Sequence, residues 1–310
     1  MLSRVADSLY WMSRYMERTD GILRMLRINY ASSQDHLQDF SWKPVLRIFT
    51  YIDEGRAGEI AQNTRAVLQY MVTGKDNSNS VLNIVTHGRE NARSVQDHIT
   101  KELWQCLNEF YHTIRDEQIV RGLYADDPVS TLDVLIRQGL LYYGIADITM
   151  ARGEGYAFLN IGKFIERSVQ TADILDVRFG DVRGDSAPGD PTYWKYLLMS
   201  ISGYEYYLKT YRSGFDARNV VEQIVLSPNF PRSILYSINR LQLHFQRLKG
   251  DGNREAFQRI DFMIGKIHSK VRYSTVESIL QHGLHPYLIG IKEDLYEVGN
   301  ALNQHYFAYS

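Results

Sequence analysis

Ser3-Arg4-Val5-Ala6-Asp7-Ser8-Leu9-Tyr10-Trp11-Met12-Ser13-Arg14-Tyr15-Met16-Glu17-Arg18-Thr19-Asp20-Gly21-Ile22-Leu23 is the stretch that decides the fold. Its apolar residues Val5, Leu9, Met12, Met16 and Leu23 fall within one arc of about 60° on a helical wheel, the mark of an amphipathic helix. Ile234, Leu235, Ile238, Leu241 and Phe245 repeat that spacing, as do Leu295, Val298, Leu302 and Tyr306. Proline breaks helix interiors, and the seven prolines stand only at Pro44, Pro128, Pro188, Pro191, Pro228, Pro231 and Pro286. The stretches 1–43, 45–127, 129–187 and 232–285 are therefore free to be helical. No segment combines strand alternation with flanking hairpin turns. The expected class is all-α, with helices over 3–33, 43–54, 57–73, 80–118, 129–149, 156–178, 191–211, 216–226, 232–249 and, with breaks, 253–306. One break is expected at His282-Gly283-Leu284-His285-Pro286, and loops at Gly74 to Asn79, Asp181 to Pro191 and Gly250 to Asn253.

Composition excludes several classes. The 310 residues are 44% hydrophobic and 23% charged, ordinary for a globular chain and unlike disorder, collagen or a simple coiled coil. A net charge of −1 argues against a general nucleic-acid binder. The single Cys106 cannot form an internal disulfide or a multi-cysteine metal site, which fits a reducing compartment. Arg4 and Asp7 so near Met1 argue against a secretory signal starting there, and no run approaches the roughly 18 apolar residues a membrane span needs. A cytoplasmic chain is expected, with no membrane and no nucleic-acid partner.

The sequence also repeats itself. Tyr15-Met16-Glu17-Arg18 matches Phe164-Ile165-Glu166-Arg167 at an offset of 149 residues, and Leu26 matches Leu175. Trp42-Lys43 matches Trp194-Lys195 at 152, and Ser80-Val81-Leu82 matches Ser233-Ile234-Leu235 at 153. More weakly, Gln138-Gly139-Leu140 resembles His282-Gly283-Leu284 at 144. Ordered matches at nearly constant spacing point to internal repeats. Two pseudo-repeated up-and-down bundles, 1–149 and 150–310, packed into one compact unit, are the expected architecture.

Arg4, Asp7, Trp11, Arg14 and Arg18 gather on the face opposite the apolar stripe. Glu17 lies three residues after Arg14, and Glu166 three after Lys163, so each carboxylate can meet a cation on its own helix. An exposed pair of this kind is worth little, whereas a buried one must be paired and hydrogen-bonded. The recurrence of Glu-Arg in both halves, with Trp11 and Tyr15 among the charges, points beyond a solvated face. Arg outnumbers Lys 25 to 10, and its planar fork suits carboxylate and phosphate. Arg89, Glu90, Asn91, Arg93 and Asp97 form a second polar run in the middle of an expected long helix, where Asn91 is a poor helix former. That run fits either a buried network or a ligand site.

The opening Met1 to Arg18 resembles the start of the alpha-E family, bacterial all-helical proteins named for a Glu-Arg motif. Arg89-Glu90-Asn91-Ala92-Arg93, with Glu102 and Trp104, looks like that family's second motif, and Pro231-Arg232-Ser233 extends the resemblance into the second half. Where such proteins typically carry Arg-Ala-Glu, this chain has Arg18-Thr19-Asp20. The family has no established reaction. Its genes accompany an ATP-grasp peptide ligase-like protein and a transglutaminase-like peptidase, so the resemblance implies a role in making or modifying a peptide, with those two as partners.

Other chemistry is poorly represented. Glu109-Phe110-Tyr111-His112 has the spacing of a di-iron bundle but lacks its second Glu-x-x-His. His282 and His285 could share a metal, though Gly283 and Pro286 beside them favour a helix break. Cys106 reads as core. There is no phosphate-binding Gly-Lys loop, and Gly153-Glu154-Gly155 lacks the strand of a dinucleotide site. No metal and no cofactor are expected. The leading expectation is a component that binds an anionic peptide or intermediate together with an ATP-grasp-like partner, through Arg14, Arg18, Arg167, Arg89, Asn91 and Arg93. The alternatives are a non-catalytic scaffold whose Glu-Arg pairs are internal braces, and a metal-independent hydrolase with Glu17, Glu166 or Glu90 as general base.

Overall fold

Side-chain caps and prolines divide the chain into sixteen α-helices, with no strand, among the described residues of the computed structural model. The structure describes residues 1–35, 41–125, 127–181, 191–212, 214–250 and 254–307. The helices are α1 Ser3–Gln34, α2 Lys43–Phe49, α3 Glu54–Ala61, α4 Thr64–Leu68, α5 Val81–Ser94, α6 Lys101–Arg115, α7 Glu117–Leu123 and α8 Val129–Thr149. They continue as α9 Glu154–Asp181, α10 Pro191–Ser200, α11 Tyr204–Thr210, α12 Ala217–Val221, α13 Ile234–Phe245, α14 Arg254–Arg272, α15 Val276–His282 and α16 Leu284–Leu302. Two π-helical turns, Gln69–Thr73 and Glu222–Leu226, extend α4 and α12. The fold is all-α.

Several expected helices are divided, each for a local reason. The one expected over 80–118 is α5 and α6. Val95 leaves helical geometry at φ −130, Gln96–His98 forms a short 3-10 turn, and Thr100 caps the next helix by accepting from Leu103 N–H. Asn91 therefore sits in the last turn of α5, not in mid-helix. The helix expected over 191–211 breaks after Ser200, where Ser202 takes a positive φ of 55 and Gly203 follows. A Cβ on Gly203 would stand 2.8 Å from the buried Phe230 ring, so the turn favours glycine there. The stretch 57–73 is cut by Asn63, whose side chain accepts from Ala66 N–H and starts α4. Thr275 separates α14 from α15 with a reciprocal capping box to Ser278, and Gly283, at φ 96, separates α15 from α16. Residues 182–190 of the expected Asp181 to Pro191 loop, and 251–253 of the Gly250 to Asn253 loop, lie outside the described residues.

The chain forms two compact units, Met1–Arg14 with Ala151–Ser310, and Tyr15–Met150. Besides a boundary at 150/151, the first fourteen residues belong with the C-terminal unit. They join the C-terminal unit because α9 is shaped to receive them. The Tyr10 backbone lies so close to Gly162 that a Cβ there would stand 2.3 Å from the Tyr10 carbonyl oxygen, and Gly155 meets the Leu9 side chain.

In the C-terminal unit α9, α13, α14 and α16 pack in a closed ring, α9 on α13 and α16, and α14 on α13 and α16. Ile161, Ile165, Leu241, Phe245, Ile264, Leu288 and Leu295 fill it. In the other unit α6 packs on α5 and α8, while α1 meets α5 at Gly88 and α8 at Gly139. Leu23, Val85, Leu107, Phe110, Leu135 and Tyr142 are buried there.

The order of elements recurs along the chain. A long helix is followed by short ones, a capped helix running into a π turn, a Ser-capped helix ending in a 3-10 turn, and three more helices. Ser80 and Ser233 both act as N-caps, and Trp42 and Trp194 are both buried.

Close backbone approach at Gly162 gives a direct test. Gly162→Ala has no flexible side chain to displace and is expected to cost about 1–3 kcal/mol by overpacking. Gly144, on α8 with nothing within 4 Å, is the control. Gly144→Ala should be neutral or stabilise by up to about 1 kcal/mol. Urea denaturation of the two variants checks both signs.

Candidate functional site

Each unit carries its own polar network around one Glu-Arg pair. In the Tyr15–Met150 unit, the Glu17 side chain is fully buried and accepts a hydrogen bond from Tyr143 Oη at 2.5 Å. Arg18 donates from Nη1 to Asn79 Oδ1 at 3.0 Å. Asn79 is itself held, its N–H bonded to Asn77 Oδ1 at 3.0 Å, and Asn77 Nδ2 donates to the carbonyl of Tyr70 in the π turn at 3.1 Å. The next residue is Ser80, the cap of α5. Arg18 therefore fastens the turn that launches a helix. Asp20, also buried, takes Arg24 Nε at 2.9 Å one turn along α1.

In the C-terminal unit, Glu166 Oε2 accepts Arg14 Nε at 2.8 Å, and Gln170 Nε2 donates to Oε1 at 3.3 Å. Arg14 also donates to Tyr10 Oη at 3.2 Å and lies 4.7 Å over the Trp11 ring. Burial works against the Arg14 charge, but the Glu166 carboxylate and the Tyr10 hydroxyl outweigh it and hold the guanidinium above its ordinary value. Arg167 donates from Nη1 to the Pro231 carbonyl at 3.2 Å, and Thr171 Oγ1 to the Arg232 carbonyl at 3.1 Å. These carbonyls lead into Ser233, the cap of α13. The second Arg thus holds the same kind of turn as the first.

Glu166 takes Arg14 from a different helix, because Arg14 lies in the segment that packs on α9. The acceptors of Arg18 and Arg167 described above are an amide oxygen and a backbone carbonyl.

The second motif is a surface feature. Arg89 is sandwiched on α5, its Nε donating to Asn108 Oδ1 at 2.8 Å and its guanidinium 4.6 Å over Tyr111 and 5.4 Å over Trp104. Glu90 bridges Arg89 at 2.6 Å and Arg93 at 3.6 Å, with Arg93 64% exposed. The half-buried Asn91 gives its carbonyl to Ser94 Oγ. The candidate residues are thus divided, with Glu17 and Arg18 in one network, Arg14, Glu166 and Arg167 in another, and Arg89, Glu90, Asn91 and Arg93 on the α5 surface.

Other candidates have ordinary employment. His285 Nδ1 meets the Asp176 carboxylate at 2.7 Å, and His282 Nδ1 lies 2.7 Å from the Ser278 carbonyl. Cys106 is buried, and burial pushes its thiol up to about 12, far from a reactive thiolate. A general base must reach a substrate proton, and neither Glu17 nor Glu166 reaches the surface.

One residue escaped the sequence reading. His244 on α13 is 1% exposed, and neither ring nitrogen has a hydrogen-bond partner. Burial, with Arg240, Arg247, Lys163 and Arg152 nearby, pushes its pKa down to about 3 from an ordinary 6.5. Its only sequence signal is its place among Leu241, Phe245 and Leu248, an apolar face on which an imidazole is out of character.

Arg14→Ala removes a charged donor from the buried Glu166 carboxylate and is expected to cost about 3–5 kcal/mol. Arg121→Ala, which breaks the exposed Arg121–Glu117 pair, should cost under about 1 kcal/mol in the same unfolding assay. For His244 the unfolded chain takes up a proton as pH falls below about 6.5, while the folded chain does not until about 3. The His244 contribution to stability is therefore present at neutral pH and lost progressively as pH falls through that window. The difference in melting temperature between wild type and His244→Phe, followed from pH 7 to 4, should change in that direction.

Comparison with known proteins adds the family. Alpha-E, described as a predicted alpha-helical domain with a conserved ER motif, matches residues 1–307. An uncharacterised protein of Mycobacterium bovis and one of Mycobacterium tuberculosis strain CDC 1551 are each 23% identical over 325 aligned positions. These alignments cover 96% of this chain, which spans 36% of the length of those relatives. A protein of strain H37Rv is 22% identical with the same coverage. No solved structure matches. With its Glu17-Arg18 and Glu166-Arg167 pairs and a match over nearly its whole length, the chain belongs to the Alpha-E family.

Proposed function

We propose that this chain is a non-catalytic helical component of a bacterial peptide-synthesis or peptide-modifying system, working in the cytoplasm by holding an ATP-grasp-like partner. The observation that carries this reading is the enclosure of Glu17 and Glu166, whose carboxylates are engaged inside their own units. Groups so enclosed brace a fold better than they meet a substrate. The recurring element order supports an internal duplication, in which each copy kept one Glu-Arg brace.

A partner needs a surface, and α8 offers one. Leu140, Leu141 and Ile148 are 51%, 46% and 83% exposed, with Gly144 between them, on the side of the helix opposite the buried Leu135 and Tyr142. Such a contiguous apolar stripe suits coverage by another polypeptide. The mycobacterial relatives hold the matched region within a much longer chain, which supports a module that acts beside further protein. The ATP-grasp-like protein is the proposed occupant of the stripe, and a transglutaminase-like peptidase a further member of the same system. Arg93, exposed beside Arg89, favours a second reading in which an anionic peptide lies along α5.

The test is binding of purified ATP-grasp-like partner to the intact chain. Leu141→Asp and Ile148→Asp should each weaken it at least about tenfold without lowering the melting temperature. Arg93→Ala should leave it unchanged, whereas on the second reading it weakens peptide binding in a salt-dependent way. Unaltered partner binding in both α8 variants, or robust turnover of a peptide by the isolated chain, overturns the reading.

A further inference from the structure

The outer face of α14 carries two aromatic rings that the fold does not use. Phe262 is 74% exposed, the one exposed phenylalanine among the described residues, and Tyr273, directly after the helix, is 79% exposed. Tyr273 N–H still bonds the Ser269 carbonyl, so the helical course runs on through it. Eleven residues separate the two rings. At about 100° and 1.5 Å per residue, that sets them about 20° apart on the wheel and about 17 Å apart along the axis. The opposite face holds Ile260, Ile264, Ile267 and Val271, all buried. Cations fill the exposed stripe. Arg259 lies one turn before Phe262, Lys266 one turn after and Arg272 beside Tyr273, and all three are exposed. No exposed position between Phe262 and Tyr273 is acidic, and the exposed acid of the helix, Glu255, lies two turns before Phe262. Asp294 of α16 meets Lys270 at 3.0 Å and Lys266 more loosely at 3.6 Å, while the half-buried Asp261 takes the Gln246 amide. Arg259 and Arg272 have no carboxylate partner among the described residues.

A single exposed aromatic is ordinary. Two in line, interleaved with arginine, have the composition of an interface centre, where aromatic and Arg side chains carry most of the binding. Charge then sets the complement, since cations of one sign along a line attract an acidic surface and repel a basic one. We infer that this face of α14 docks an acidic segment of another protein. Phe262 and Tyr273 seat against its apolar side chains, and Arg259, Lys266 and Arg272 face its carboxylates. A partner helix of about three turns spans both rings. An anionic lipid surface fits less well, because an interfacial helix sinks its apolar face into the bilayer, and the apolar face of α14 is already buried in the protein. This surface lies in the C-terminal unit, and the inference stands or falls without the α8 stripe.

The experiment is fluorescence anisotropy of labelled peptides titrated with the full chain. The probe is a capped amphipathic helix of about four turns, with glutamates flanking a leucine stripe. Two counterparts keep its length, one with lysine for every glutamate and the other with serine for every leucine. Saturable binding of the acidic probe is expected, with both counterparts at least about tenfold weaker. Phe262→Ala and Arg259→Glu should each weaken the acidic probe at least about fivefold. Arg121→Glu, at an exposed pair in the other unit, should not. Phe262 and Arg259 are both exposed, so an unchanged melting temperature separates lost docking from lost folding. Raising the salt concentration should weaken binding as well. Vesicles of phosphatidylserine and phosphatidylcholine, sedimented with the chain, are expected to leave it in solution. No saturable binding of the acidic probe, equal binding of the lysine counterpart, affinity unchanged in both variants, or capture by vesicles in place of the peptide overturns the inference.

Discussion

A carboxylate carried into a helical core keeps its charge only if donors are carried in with it, since water can no longer serve. Glu17 and Glu166 impose that condition, one in each unit. For Glu166 the donors include Arg14 and Gln170, and Arg14 in turn meets Tyr10 and the Trp11 face. For Glu17 a donor is the Tyr143 hydroxyl, supplied by α8. Helices that furnish such donors cannot slide along or rotate against the helix that bears the acid without stranding it. Apolar packing has no such direction, so these pairs fix register in a way that Leu and Ile contacts do not.

The Arg beside each acid extends the constraint in a second direction. Arg18 reaches Asn79, and Arg167 reaches Pro231, each just ahead of a serine that caps the following helix. Acid and base thus divide the labour. The first ties its helix sideways to another, and the second pins the turn where a π-helical segment gives way to a capped helix. The two networks nonetheless differ, with a guanidinium on one carboxylate and a phenol on the other. The mechanical role is alike where the chemistry is not.

The all-α class was legible because the apolar spacing on α1 and α13, together with so few prolines, admits little else. Helix ends were less legible. Asn63, Thr100 and Thr275 stop and restart helices with single side chains, and nothing in a hydrophobic pattern distinguishes a capping threonine from an exposed one. The Glu-Arg positions could be picked out because they recur. Their partners could not, since Arg14 meets Glu166 across 152 residues and Tyr143 meets Glu17 across 126, distances at which sequence carries no pairing signal. His244 was passed over for the same reason. One histidine on an apolar face gains meaning only when Phe164, Tyr156 and the surrounding cations are seen around it.

The attachment of Met1–Arg14 to α9 also has a consequence in time. A ribosome releases these residues before any of the Tyr15–Met150 unit, yet the groove that receives Tyr10, and the carboxylate that receives Arg14, come only after Ala151. At about 5–20 residues per second the wait is on the order of ten seconds. Throughout it the front of α1, with Leu9 and Met12 on one side, has an unfilled appointment. The Tyr15–Met150 unit has all its own residues in hand much earlier, so vectorial synthesis orders the two. Residues made ahead of the Tyr15–Met150 unit are thus placed only after that unit is complete.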